Sequence, residues 1–335
     1  MWDGDCPFRG ETTMKYRLFR RPVVCAGVPW LLLALAAAYA ARAAADAKPA
    51  DKGWTLKEGD GQVTVVSPQG RPFVTYQTER PADSKLPVES GCYFHPLYTP
   101  QGTVVTDVAP ADHPHHRGVF LAWVEMHGKK DADFWGWGEH APVKDRRIIS
   151  DQLRVGGSPT SFEFSNDWTA EGETLLEEKL SGGVRATDQA NVLDLTYTLT
   201  PTADLKLTRW AFSGFCVRTR KDGITAFDAD GPVKLPPPQH TKPESDWPDR
   251  SWYAYTLTAG DAKKGGVAVL GHPANPPTLW HNVTGIGMLN PCVVAPGEMK
   301  LAAAKPLTLR YRVVTFDGEV PTAKLDELAR EWSAR

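Results

Sequence analysis

The sequence predicts an all-β fold: a large two-sheet antiparallel β-sandwich with one C-terminal helix. Two observations carry this. From residue 56 onward, apolar and polar residues alternate with period two between short breaks of Gly, Pro, Asn and Asp, whereas helical periodicity occurs once.

The clearest strands are Gln62–Ser67, Pro72–Thr78, Val119–Met126, Arg147–Val155, Ser161–Ser165, Leu193–Thr200, Lys206–Trp210, Ser251–Thr258 and Gly266–Leu270. Met299–Ala302 and Leu307–Phe316 follow, the latter with Leu309, Tyr311, Val313 and Thr315 on one face. The helix is expected over Thr322–Ser333, capped by Thr322, because Leu325, Leu328, Ala329 and Trp332 recur at helical spacing. Residues 231–249 hold six prolines and read as a long loop, because proline cannot donate to a ladder. With no second linker and no internal repeat, residues 56–335 read as a single sandwich domain after a polar linker, 46–55.

Residues 23–41 are apolar, follow Lys15, Arg17, Arg20 and Arg21, and lead into small residues near Ala45. That is the pattern of a signal peptide or an uncleaved signal anchor spanning residues 1–45, so the chain is expected to be periplasmic or secreted, with the membrane involved only through that anchor. The 335-residue chain has 38 Lys+Arg against 40 Asp+Glu, a net charge of -2, and removal of residues 1–45 shifts it to about -5. Nucleic acid is therefore not an expected partner; a small molecule or glycan is. Cys92, Cys216 and Cys292 remain after removal, an odd number without C-x-x-C spacing, which argues against a disulfide framework.

All nine histidines and ten of the twelve tryptophans lie beyond residue 45. Asp112-His113-Pro114-His115-His116-Arg117-Gly118 places three imidazoles and a guanidinium in five residues, which packing alone does not explain. Imidazole titrates near neutral pH and also ligates metals, so the segment points to acid/base or metal chemistry. If it were extended, His113, His115 and Arg117 would face one way and His116 the other, unless Pro114 broke the alternation. His95 lies upstream among aromatics. Downstream, Asp133-Phe134-Trp135-Gly136-Trp137-Gly138-Glu139-His140 alternates large rings with glycine and suits a stacking platform for a sugar ring. A third group, Gly271-His272-Pro273-Ala274-Asn275 with Trp280-His281-Asn282, puts His272 at a strand end and supplies amides suited to hydroxyls. Nucleotide, zincin, EF-hand and serine-hydrolase motifs are absent, and no motif requires a cofactor.

The order and spacing of His95-Pro96-Leu97-Tyr98, the Asp112–Gly118 segment, Asp133-Phe134-Trp135, Gly271-His272-Pro273-Ala274-Asn275-Pro276, Asn290-Pro291 and Leu307–Val313 resemble a bacterial PmoA-like family labelled methane oxygenase PmoA. The resemblance covers most of the exported region and implies a supersandwich similar to galactose-mutarotase-like, sugar-handling domains.

Three readings result. The first is a carbohydrate-active enzyme of epimerase-, lyase- or hydrolase-like type, with His113, His115, His116 and His272 catalytic and His95, Arg117, Trp135, Trp137, His140, Asn275, His281 and Asn282 binding substrate. The second, implied by the family label, is an oxygenase-type enzyme holding a divalent metal through histidines. The third is a non-catalytic glycan-binding module.

Overall fold

The computed structural model describes residues 53–155, 160–187, 189–259 and 263–335. The expected signal segment and residues 46–52 of the linker lie outside the described residues. Among the described residues no helix is long and apolar enough to cross a membrane.

Two large antiparallel sheets face each other. The smaller has seven strands in the spatial order Thr55–Gly59, Gln62–Val66, Pro72–Gln77, Tyr93–Leu97, Val119–Ala122, Gly214–Arg218 and Met288–Leu289. The larger has nine: Gly231–Pro232, Thr225–Asp228, Trp252–Ala259, Lys263–Gly271, Leu307–Asp317, Ala190–Pro201, Glu173–Ala186, Ser161–Ala170 and Arg146–Val155. Inward residues of both sheets form one core: Tyr76 stacks on Phe164 at 4.1 Å, and Phe215 on Tyr311 at 4.1 Å.

The strong alternation of Leu307–Asp317 is used on both sides. Leu309, Tyr311 and Val313 enter the inter-sheet core, while Val314 and Phe316 enter a second core on the outer face. Leu325, Leu328, Ala329 and Trp332 of the helix Thr322–Ser333 close that second core. Buried beneath the helix, Arg312 bonds both oxygens of Asp194 at 2.5 and 2.8 Å, donates to Leu328 O at 2.8 Å and lies against the Trp332 ring. A guanidinium withdrawn from water needs such a complete set of acceptors.

Several sequence expectations are corrected. The helix does start at Thr322, but the capping position is Pro321 and no side chain caps the helix. The strand expected over Val119–Met126 ends at Ala122, and Met126–His127 joins a separate three-stranded sheet with Leu205–Leu207 and Met299–Leu301. The longest strand, Glu173–Ala186, was not expected at all: Glu177-Glu178-Lys179 and Gly182-Gly183 obscure its period. Burial nevertheless alternates there, with Glu178 turned inward. Within the proline-rich loop, a short strand at Gly231–Pro232 and a 3-10 turn at Pro243–Ser245 interrupt the irregular backbone. The three cysteines are buried and free.

Candidate functional site

The site is built on the outer face of the seven-stranded sheet. Leu121 and Phe215 pair on its inner face, so their neighbours Phe120 and Cys216, also paired, point outward. Loops then cover that outer face.

The first is the histidine segment. His113 N–H donates to Pro110 O at 3.1 Å, and His116 N–H to His113 O at 3.0 Å, making two successive turns. Pro114 occupies the second position of the second turn, where its fixed φ favours turning, so the extended alternation is overturned. All three rings gather instead. His113 stacks on His116 at 4.9 Å, and His115 meets His116 edge-on at 4.7 Å.

His116 is buried, and the fully buried Arg218 donates to its Nδ1 at 3.1 Å. The neutral ring therefore carries its proton on Nε2. Asp112 holds Arg218 at 3.0 Å and accepts from Lys221 at 3.0 Å. Partial burial would raise the Asp112 carboxyl, but the hydrogen bonds and charges of Lys221 and Arg218 outweigh it and hold the group at about 2. Burial pushes His113, His115 and His116 below the ordinary imidazole range, His115 to about 4, so the three rings are neutral at pH 7.

The second loop is the Trp–Gly segment. Asp133 accepts N–H bonds from Gly136 and Gly138, each at 2.7 Å. Gly136 has φ +104°, and a Cβ there would stand 2.4 Å from Val88 Cγ1 and 2.9 Å from His115 Cβ. Only glycine lets this turn approach the histidine loop. Arg117 binds the two loops together: fully buried, it donates to the carbonyls of Phe134 at 2.9 Å, Trp135 at 3.2 Å and His115 at 3.3 Å, and its guanidinium lies over Phe120 at 4.5 Å. Its hydrogen bonds thus go to backbone. Trp135 is fully buried among His116, Phe120 and Phe212 and presents no face to solvent. Trp137 is half-buried and meets Phe212, Trp210 and His140 at 5.1, 5.4 and 5.2 Å.

The proline-rich loop completes the site. Trp247 pairs with Trp280 through reciprocal backbone bonds of 2.8 and 2.9 Å, and the Trp247 indole donates to Pro236 O at 2.8 Å. Pinned in this way, the loop places Asp246 Oδ1 2.5 Å from His281 Nδ1, and His240 Nδ1 2.9 Å from His281 Nε2. His240 then faces Phe212 at 5.4 Å and His113 at 6.3 Å. Burial pushes Asp246 up to about 8 and His281 down to about 3. His113, His115, His116, Trp137, Phe212 and His240 surround a small hollow of about 60 Å³, rimmed by Trp210 and the exposed His140.

The fold therefore brings together His113, His115, His116, Trp137, His140 and His281. Asn282 lies behind them, buried, its Oδ1 accepting from Asn290 N at 3.1 Å. Three expected residues lie elsewhere. His95 bonds Thr106 Oγ1 at 3.0 Å. Asn275 exchanges two 2.8 Å bonds with the Arg310 backbone, and His272 lines a separate cavity. His240, Asp246, Phe212 and Trp210 were missed; the one sequence signal for the first two was the unusually long proline-rich loop that carries them. Among the described residues no three His, Cys, Asp or Glu side chains are arranged to hold a metal ion.

Fold and site together define an exposed imidazole cleft with an aromatic rim, built on one outer face of a two-sheet β-sandwich. The chain belongs to a family of unknown function (DUF6807), whose model matches residues 63–330. That description names no activity, oxygenase or other. No curated protein matches the chain in sequence.

Similar solved structures include a galactose mutarotase-like protein from Lactobacillus casei, at 9% identity and TM-score 0.36, covering 78% of this chain and 100% of that one. A GH36 alpha-galactosidase from Geobacillus stearothermophilus is similar at 7% and 0.34, covering 79% and 40%. A heparan sulfate lyase from Pedobacter heparinus is similar at 10% and 0.34, covering 86% and 42%. The chain spans less than half the length of the phosphorylase, galactosidase and heparinase structures it matches, and at these scores the likenesses carry no argument about its chemistry.

Proposed function

We propose that this protein is a carbohydrate-active enzyme that works by imidazole acid/base chemistry, with His240 as proton donor and His113 as base. The observation that carries the reading is the hydrogen-bonded chain Asp246–His281–His240, which runs from buried carboxyl to open cleft.

A neutral Asp246 donates to His281 Nδ1; His281 then donates from Nε2 to His240 Nδ1, and His240 carries its own proton on Nε2. Removing one proton from Asp246 reverses every donor and leaves a lone pair on His240 Nε2. One titration at the buried end thus changes His240 from acid to base. The neutral carboxyl is favoured because Asp246 Oδ2 is buried with no partner, a costly place for a full negative charge. His113, held neutral by burial, accepts a proton across the cleft. A sugar resting against Trp137 and Trp210 would lose a proton to His113 and gain one from His240, the balance of an epimerase- or lyase-like step. A hydrolytic carboxylate pair is not favoured: Glu125 is engaged by His127 and Trp210, and Asp112 by Arg218 and Lys221.

The test is to incubate the protein with neutral and acidic mono- and disaccharides in D₂O and follow C–H exchange, anomer interconversion and cleavage by NMR. The wild type is expected to accelerate one of these for at least one sugar, and His240→Gln to lose the acceleration. Binding without any of these changes would leave the glycan-binding module as the reading. The oxygenase-type reading predicts stoichiometric metal in the purified protein, which elemental analysis checks. Export through residues 23–41 belongs to the same proposal and is tested by cell fractionation.

A further inference from the structure

Trp210, on the rim of the imidazole cleft, combines a fixed backbone with a ring that has one polar anchor. The pairing of Met126–His127 with Leu205–Leu207 continues one residue further, Thr208 N–H donating to Glu125 O at 3.1 Å. Arg209 Nε then donates to Ala295 O at 2.9 Å, and Cys292 Sγ to Trp210 O at 3.4 Å. The chain on both sides of Trp210 is thereby held. Its indole is half-buried and faces His140 at 4.4 Å, Trp137 at 5.4 Å and Phe212 at 6.5 Å. Such ring contacts leave the rotation of an aromatic side chain soft. The directional contact is the indole N–H, which donates to Glu125 Oε2 at 2.9 Å.

Glu125 is itself held. Its Oε1 lies 2.7 Å from His127 Nε2, and His127 Nδ1 lies 2.9 Å from Asp131 Oδ1. A carboxylate at each ring nitrogen calls for a proton on both, and the bonds to Asp131 and Glu125 raise His127 above the ordinary imidazole range against its partial burial. Lys206, directly opposite His127 on the neighbouring strand, and Lys300 in the adjoining hollow add positive charge on this face, and Asp204 adds negative charge. The Trp210 indole thus ends the chain Asp131–His127–Glu125, and its own link is a charge-assisted hydrogen bond, about twice as strong as a neutral one.

We propose that Glu125 is a positioning residue for carbohydrate binding: it locks the Trp210 indole, before a sugar arrives, in the orientation that receives the sugar. This rests on the carbohydrate reading of the cleft. A ring already immobilised spares the complex the entropy of ordering it, and that saving is what Glu125 adds to affinity.

The experiment titrates the full-length protein with D-galactose, D-glucose, D-glucuronate, lactose and cellobiose by NMR, following the His240 ring and the indole N–H of Trp210, which is assigned by its absence from Trp210→Phe. Glu125→Leu is expected to move the Trp210 N–H resonance, to speed its exchange with solvent and to weaken binding of the responsive sugar about two- to tenfold. Glu125→Gln, which keeps an acceptor oxygen, restores the resonance and the affinity. In the Trp210→Phe background Glu125→Leu costs no further affinity, whereas a general structural role for Glu125 would cost as much in both backgrounds. Should Glu125→Leu not fold, Glu125→Ala takes its place. The proposal is overturned if the substitution leaves the Trp210 resonance in place, if it binds sugar as tightly as wild type, or if its cost persists undiminished in Trp210→Phe; the cleft reading survives each of these. If none of these sugars shifts His240 in wild type, the cleft reading fails and the proposal with it.

Discussion

Asp246 Oδ1 and His281 Nδ1 stand 2.5 Å apart with neither side chain exposed to solvent, so the two groups share one proton rather than forming a solvated ion pair. Its consequences reach His240, because His281 passes the choice of donor and acceptor to the cleft through its other nitrogen.

Imidazole nitrogen shifts followed from pH 6 to 9 should report this directly. Both His281 and His240 are expected to exchange protonated and bare nitrogens together near pH 8, where Asp246 loses its proton. Asp246→Asn has no such proton to lose and should flatten the transition. Rings that keep one tautomer throughout would remove the relay.

Turnover, once a responsive sugar is found, should be bell-shaped in pH. His113 sits below its ordinary 6.5, so the base is lost only under acidic conditions, while the acid is lost as pH rises through about 8. His240→Gln should lower the rate by about 10²- to 10⁴-fold and, because it removes the partner of the buried His281 Nε2, cost up to about 3 kcal/mol of stability. Steady-state kinetics and urea denaturation separate the two effects.

Gly136→Ala should destabilise the protein by about 1–3 kcal/mol, since a methyl meets Val88 and His115 inside contact distance and φ is +104°. Displacing His115 should also shift the resonances of His113 and His116, which contact it. A variant as stable as wild type, with those resonances in place, would show that the two loops are not locked together.

Glu178 makes stability pH-dependent. It lies in the inter-sheet core, where burial raises its pKa to about 7 against hydrogen bonds from Asn166 and Trp168. The folded state therefore holds a proton the unfolded state releases, so the stability this group contributes is complete below about 4.5 and is lost as pH rises to about 7. The loss is about 3 kcal/mol. Urea midpoints at pH 5 and pH 8 should differ more in wild type than in Glu178→Gln, whatever the absolute stability of the variant.

Fold and site were legible to different depths. The start of the strand Ser161–Ala170 is legible as Ser161–Ser165, because Phe162 and Phe164 alternate with polar residues, whereas the polar Asn166 in the same inward register hides its continuation to Trp168. Glu173–Ala186 has the same buried alternation but hides it, since its inward Glu178 looks like a surface charge until Asn166 and Trp168 are seen to satisfy it. The imidazoles of His113, His115 and His116 were visible as a cluster, yet Pro114 turns the chain and stacks them where alternation would have split them. Arg117 looked like a ligand-binding cation; three backbone carbonyls take its hydrogen bonds.

The sequence alone determined the sandwich with its C-terminal helix and marked residues 113–116 as chemically unusual, because side-chain alternation and local clustering are properties of neighbouring residues. Which histidines share a cleft was decided by the tertiary structure. Asp246 and His240 reach His281 from 35 and 41 residues away, and only the packing of the proline-rich loop against Trp280 brings them within hydrogen-bond distance. The same packing removes Asp246 from water, and that desolvation gives the relay its titrating proton.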